Sequence, residues 1–276
     1  MSFWGQMAVV ENACIRIRMK YAIMSDVHAN PQALKTALAD AHEHGCKKFI
    51  FAGDVTGYGY DAKTAINLVR ENFDIVLMGN HDSACVGLES GWMVMANPNY
   101  DIDRAHREIL DQDDIEWLRR LPYDYATRCF AVTHGDFTRP QSWNYIASTE
   151  SAVRNFFSRE EPLLFCGHTH HAMIWEATAN GVFREKFAKR FAHPAVKPQT
   201  ISFQGGGSRY IVNVGSVGYP RYDLCSCYAI YDSCTDKVIM RRLPFDFKSY
   251  VKAMLSRKMN LPGWLCSLFQ LARSQS

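Results

Sequence analysis

The chain has 276 residues, 47% hydrophobic and 21% charged, with 31 Lys and Arg against 28 Asp and Glu for a formal net charge of +3. That length sits near the upper limit for one hydrophobic core, so one large domain, or one domain with an insert, is expected. The charge is too small to argue for nucleic acid or a membrane surface, no apolar run is long enough to cross a bilayer, and the amino terminus lacks the pattern of a secretory signal.

Residues 1–18 read as an N-terminal arm or as a start assigned too far upstream, and the sequence does not separate the two. YAIMSD (21–26) is the first strand. PQALKTALADAHEHG follows as a helix, with Leu34, Ala37, Leu38 and Ala41 at helical spacing and Gly45 at its end. KKFIFAGD is the second strand, DAKTAINLVREN a helix with Ala65, Leu68 and Val69 on one face, and DIVLMGN the third strand. This alternation predicts a parallel sheet with right-handed crossovers. Residues 83–121 break the rhythm. There Ile102, Ala105, Ile109, Leu110, Ile115 and Leu118 predict two helices, an insert placed as a lid or substrate wall beside an active-site loop.

The chain then turns to strands: DYATRCFAVTHGD, PLLFCGHTH, AMIWEATANGVF, SRYIVNVGS, CSCYAIYD and KVIMRRLPF. Ala179-Asn180-Gly181 and Asp232 to Asp236 read as hairpin turns, and Ser148–Phe157 as a helix capped by Ser148 or Thr149. Residues 184–208 are the most loop-like stretch. After a domain ending near 246, residues 247–276 form a helical extension with helices at 247–258 and 263–272. Its stripe of Trp264, Leu265, Leu268, Phe269 and Leu271 is read as core packing. The nine cysteines show no zinc-site pairing. Cys225 and Cys227 share one face of a strand and are read as packing residues. An odd count without a signal points to free thiols in a reducing cytoplasm.

Metal-seeking side chains recur where apolar runs stop: Asp26-Val-His28, Gly53-Asp54, Gly79-Asn80-His81-Asp82, His134-Gly135-Asp136 and Gly167-His168-Thr169-His170. Asp-x-His and His-x-His each place two donors on one side of an extended segment. The donors are oxygen and nitrogen with no thiolate, a mix that suits Mn²⁺, Fe or Zn²⁺ better than Ca²⁺. Two ions about 3.5–4 Å apart need a shared carboxylate, and Asp54, alone at its strand end, is the natural bridge. Gly53, Gly79 and Gly167 precede ligands and are read as turn residues. Gly57 and Gly59 are read as passing close to bound phosphate.

In order and spacing these blocks resemble the calcineurin-like metallophosphoesterases, over residues 20 to about 243. GDVTGYG with GNHD and NVGSVG most resembles a prokaryotic subgroup with a GYG loop, which includes phosphodiesterases and dinucleoside tetraphosphate hydrolases. The resemblance implies a four-layer αββα sandwich with a dimetal site at the loop edge of two sheets. It implies Asp26, His28, Asp54 and His170 around one metal, and Asp54, Asn80, His134 and His168 around the other. It assigns His81 to the substrate, as general acid or phosphoryl stabiliser. Hydrolysis then runs by in-line attack of a dimetal-activated hydroxide, with Mn²⁺ taken first, on a small phosphorylated metabolite or nucleotide. Arg221, after NVGSVGYP, is assigned to the phosphoryl charge. The block after Asp54 lacks the arginine of the protein serine/threonine phosphatases, and Asp82 stands where they carry glutamate. That argues against a phosphoprotein substrate and leaves His81 without an identified orienting partner.

Other histidines are given plainer roles. His171 is read as a bystander, His42 and His44 as solvated, His106 as a surface residue and His193 as a loop residue. The cluster Lys186, Lys189, Arg190 and Lys197 is read as a solvated face. The rival to an enzyme is a scaffold or binding protein that kept the fold and lost turnover. It predicts missing ligands or a replaced His81, and neither is seen. A nuclease is disfavoured by the near-neutral charge.

Overall fold

A computed structural model of the chain describes residues 19–88, 101–178, 181, 183–187, 199–202, 207–221, 225–259, 261 and 265. Two six-stranded sheets pack face to face. The first has the order β3-β2-β1-β11-β12-β9, from Ile75–Val76, Lys48–Phe51, Lys20–Met24, Cys225–Asp232, Lys237–Pro244 and Gln199–Ser202. The second has the order β4-β5-β6-β10-β7-β8, from Asp124–Ala126, Phe130–Thr133, Leu163–Cys166, Arg209–Val214, Ala172–Ala177 and Phe183–Phe187. β1, β2 and β3 pair in parallel, as do β5, β6 and β10.

Alternation along the strands builds the layers. Ile23, Ile50, Phe130, Val132, Phe165, Val212, Ala229 and Tyr231 meet between the sheets. Their sequence neighbours Ala22, Met24, Phe51 and Tyr228 face outward onto helices α1 (Pro31–Glu43) and α2 (Ala62–Asn72). On the far side, Ala131, Leu164, Cys166 and Ile211 receive Ala152 and Phe156. Those two residues belong to the helix Thr149–Ser158, α6 in chain order, which Ser148 caps. The result is the expected helix–sheet–sheet–helix sandwich. Cys225 and Cys227 both lie in the layer between the sheets, and no disulfide joins the described cysteines. Among the described residues no helix is long and apolar enough to cross a membrane.

Among the described residues three helices sit between β3 and β4: α3 (Asn80–Cys85), α4 (Asp101–Ile109) and α5 (Gln112–Arg119). Two helices are found where the insert predicted them, but α4 is turned over. Ala105 and Ile109, read as apolar-face positions, are exposed, while Asp103, His106 and Leu110 are buried. A polar pair at i and i+3 is what this helix delivers inward. The loop-like stretch 184–208 is corrected too, because it contains most of β8 and all of β9. The last described helix, α7 (Phe247–Ser256), packs Tyr250 and Met254 with Leu265 against Tyr219 and Phe245. Residues 1–18, the rest of the 263–272 stripe, His193 and the side chains of the Lys186–Lys197 cluster lie outside the described residues.

Candidate metal centre

The parallel strands of both sheets end on one edge, and backbone bonds lock their loops together there. Asp26 N–H donates to Gly53 O and His28 N–H to Asp54 O, each at 3.0 Å. Gly167 N–H donates to His134 O at 2.9 Å, and Gly218 N–H to Asp26 O at 3.0 Å. Five of the seven expected ligands, Asp26, His28, Asp54, His168 and His170, take φ between 47° and 67°. That left-handed region costs a residue with a Cβ about 1–2 kcal/mol, and such strain collects at functional sites. Gly79 and Gly167 serve close approach, not a turn. A Cβ on Gly79 would lie 2.1 Å from Asp54 Oδ1, and one on Gly167 would lie 2.4 Å from Asp26 Oδ2.

Each carboxylate has one oxygen pinned and one aimed. Asp26 Oδ2 accepts from His168 N–H at 3.0 Å, and Asp54 Oδ1 from His81 N–H at 2.9 Å. Asp26 Oδ1 and Asp54 Oδ2 are buried with no hydrogen-bond partner among the described residues. A buried carboxylate oxygen left so is costly unless a cation faces it.

The imidazoles are oriented from behind in the same way. Nδ1–H of His28 donates to Thr56 O at 2.8 Å, that of His170 to Tyr219 O at 2.8 Å and that of His134 to Ala52 O at 2.7 Å. His168 is reversed, with Nε2–H donating to Trp143 O at 2.7 Å. A carbonyl can only accept, so in each ring when neutral the tautomer is fixed and the unprotonated nitrogen faces inward. His28 Nε2 and His170 Nε2 lie 3.0 Å apart, and His134 Nε2 lies 3.1 Å from both His168 Nδ1 and Asn80 Oδ1. Asp54 Oδ2 stands between the groups, 3.7 Å from His28 Nε2 and 3.3 Å from His134 Nε2. Asp26-His28-His170 and Asp54-His134-His168 thereby form two buried groups, each with its donor atoms within 4.8 Å of one another.

The electrostatics fit such a site. Burial opposes charge on Asp26 and Asp54, yet the surrounding histidines hold both below the usual carboxylate range. Burial pushes His28 and His168 down to about 3, which keeps them neutral as ligands must be. His134 goes the other way, up to about 9, because Asp54 outweighs its burial. Two buried carboxylates draw positive charge toward them, and bound cations would supply it.

His81 lies beside this centre, with a ring nitrogen within 4.8 Å of ligand atoms of His28 and Asp54. Its Nδ1 is 2.8 Å from Asp103 Oδ2, and both side chains are buried. Burial works against the imidazolium, but Asp103 and Asp54 raise its pKa above the usual value. Asp82 is not the orienting partner. It accepts backbone N–H from Asp54, Thr56 and Gly79 at 2.8–3.1 Å and so holds the loop.

His106 corrects the surface assignment: it is 3% exposed. Its Nδ1 accepts from Gly57 N–H and its Nε2–H donates to Gly59 O, each at 3.2 Å. The Gly57–Gly59 loop is thereby clamped by α4, and Tyr58 packs its ring 4.5 Å from His81 and 4.7 Å from His28. Arg221 lies over Tyr58 and Tyr219 and donates to the Tyr58 hydroxyl at 2.8 Å. Asp103, His106 and Tyr58 were not expected at the site. A polar i, i+3 pair on a helix otherwise rich in surface charge was the one signal for the first two. His42 is exposed and His44 partly so, while His171 contributes to neither cluster.

A sequence model of the calcineurin-like phosphoesterase superfamily domain matches residues 19–236. The chain belongs to that superfamily. It is a phosphoesterase, a hydrolase. An uncharacterised protein of Methanocaldococcus jannaschii, MJ0912, is 26% identical over 264 residues, covering 93% of this chain and 100% of its own length. The crystal structure of a metallophosphoesterase from Sphaerobacter thermophilus superposes with a TM-score of 0.72 at 28% identity, covering 91% of this chain and 97% of that one. A hypothetical protein of Pyrococcus horikoshii, PH1004, gives a TM-score of 0.61 at 16% identity, over 90% and 96% of the two chains, and shares the fold. Within this calcineurin-like phosphoesterase, the loop edge described above is the candidate site.

Proposed function

We propose that the chain is a metal-dependent phosphatase or phosphodiesterase for a small phosphorylated metabolite or nucleotide, a dinucleoside polyphosphate being one concrete candidate. The observation that carries the reading is the pair of unpartnered buried oxygens, Asp26 Oδ1 and Asp54 Oδ2, ringed by imidazole nitrogens fixed to face them. Asp26, His28, Asp54 and His170 would hold one divalent cation. Asp54, Asn80, His134 and His168 would hold the other, with Mn²⁺ the first candidate and Fe or Zn²⁺ compatible with the same donors. Bound there, two cations supply charge to the phosphate oxygens and acidify an attacking water.

The chain's own groups do the rest. With Nδ1 committed to Asp103, His81 hands a proton to the leaving oxygen through Nε2. Asp103 keeps the imidazolium populated near neutral pH and fixes the ring plane. Arg221, held on Tyr58 and Tyr219, places a guanidinium beside His170 for phosphoryl charge.

The test is a screen of purified protein with Mn²⁺, Fe²⁺ or Zn²⁺ against p-nitrophenyl phosphate, bis-p-nitrophenyl phosphate and nucleotides, with His81→Ala as control and metal counted by elemental analysis. The expected result is about two metal ions per chain and a loss of about 10²–10⁴-fold in kcat for the variant. Full activity in His81→Ala removes the proposed acid. No hydrolysis with any of the three metals overturns the reading.

A further inference from the structure

On the flank of the centre formed by His168, one large side chain is left half in water. The segment after His134 is built tightly. Asp136 accepts from Thr138 N–H at 2.8 Å and from Asn144 Nδ2 at 2.8 Å, and a 3₁₀ turn, Pro140–Ser142, leads into Trp143 at φ 54°. Trp143 and Ile146 are buried and anchor the segment, while the Trp143 carbonyl fixes His168. Tyr145, between them, is 51% exposed. Its ring centroid lies 4.3 Å from that of His168 with 31° between the planes. A large aromatic held half in water forfeits burial that its neighbours already supply. What its position offers is a flat apolar surface next to a ligand of the second cluster. Arg221 lies over Tyr58 and Tyr219, whose rings pack near His28 and His170. Burial works against its charge, and the nearby Tyr58, Tyr145 and Tyr219 outweigh that effect.

We infer that Tyr145 is a stacking platform for a nucleobase, so that the ester carries a nucleoside on the His168 side and further negative charge toward Arg221. This rests on the phosphoesterase reading of the centre and names its substrate class. Among the described residues a single exposed ring packs on the centre and reads one base, and a net charge of +3 provides no track for a strand, so the substrate is a nucleotide ester and not a nucleic acid.

Adenosine 5′-monophosphate and ribose 5-phosphate share sugar and phosphate and differ only in the base. Their dissociation constants are measured by calorimetry on the Mn²⁺-loaded and the metal-free protein, for wild type, Tyr145→Leu and Tyr145→Phe. The nucleotide should bind wild type about tenfold or more tightly than the sugar phosphate, in line with stacking of one base. Tyr145→Leu should erase that ratio and leave ribose 5-phosphate unchanged, and Tyr145→Phe should keep it. An unchanged ratio in Tyr145→Leu, or no discrimination in wild type, overturns the inference while phosphate binding and p-nitrophenyl phosphate hydrolysis leave the phosphoesterase reading standing. Loss of all ester hydrolysis in wild type overturns both. An oligonucleotide bound more tightly than the mononucleotide points to nucleic acid and overturns it as well.

Discussion

At the scale of single residues, the site is decided by what lies behind each donor. The order of the blocks singled out the aspartates and histidines at strand ends as candidates, and the fold brings them to one edge. Asp103 was not, because nothing in the sequence says which of several acids in the insert meets His81. If Asp103 charges and orients the acid, Asp103→Asn should lower kcat about 10²-fold on an alkyl phosphate ester, whose leaving oxygen needs a proton. It should cost far less on a p-nitrophenyl ester, whose leaving group departs unaided. Equal losses on the two esters would make Asp103 a structural residue only. Gly79→Ala tests close approach. A Cβ 2.1 Å from Asp54 Oδ1 and 2.3 Å from Asp54 N forces one of them to shift. The expected cost is about 1–3 kcal/mol, read from the urea midpoint, together with fewer bound metal ions.

At the scale of elements, helical periodicity identified α1 and α2 because each has an apolar face that the first sheet buries. It misplaced the face of α4, whose buried residues are polar and whose exposed ones include Ile109. A moment computed from apolar residues cannot find a helix face whose partner is a histidine and a loop backbone. Removing the clamp with His106→Leu leaves Gly57 N–H and Gly59 O unpaired, which should cost about 1–3 kcal/mol. Hydrogen exchange at Gly57 and Gly59 should quicken, and unchanged protection there would dismiss the clamp. α1 is tied to the first sheet by Asp40, which accepts from Arg241 Nη2 at 2.6 Å, from Arg241 Nε at 2.9 Å and from the Tyr228 hydroxyl. Burial tends to raise the Asp40 pKa, but Arg241 and Tyr228 prevail and lower it. A depressed folded pKa stabilises above the ordinary carboxylate range and loses that contribution as pH falls through the folded value. Asp40→Asn should therefore cost about 1–2 kcal/mol at pH 7, with the gap to wild type closing below about pH 4. Urea midpoints at pH 7 and pH 3 measure it, and a gap that does not change with pH would contradict the assignment.

At the scale of the whole molecule, the candidate centre joins loops of both sheets at one edge, so cations bound there would stabilise the fold by mass action. At a free concentration one hundred times Kd, one site contributes about 2.7 kcal/mol. Chelation should lower Tm and Mn²⁺ should restore it. A Tm indifferent to both would mean that the edge is rigid without metal and that its buried carboxylates are satisfied otherwise.

The order of the candidate donors, the alternation that makes strands two-faced, and the helices with apolar stripes were set by local sequence, because each depends on spacing along one segment. Tertiary structure alone decided that β8 and β9 extend the two sheets through a stretch that looked like loop. It also decided that His106 and Asp103 turn inward and that Tyr145 stands exposed over His168. Those features depend on which segments meet in space, and a chain read one residue at a time carries no distance between positions 28 and 170.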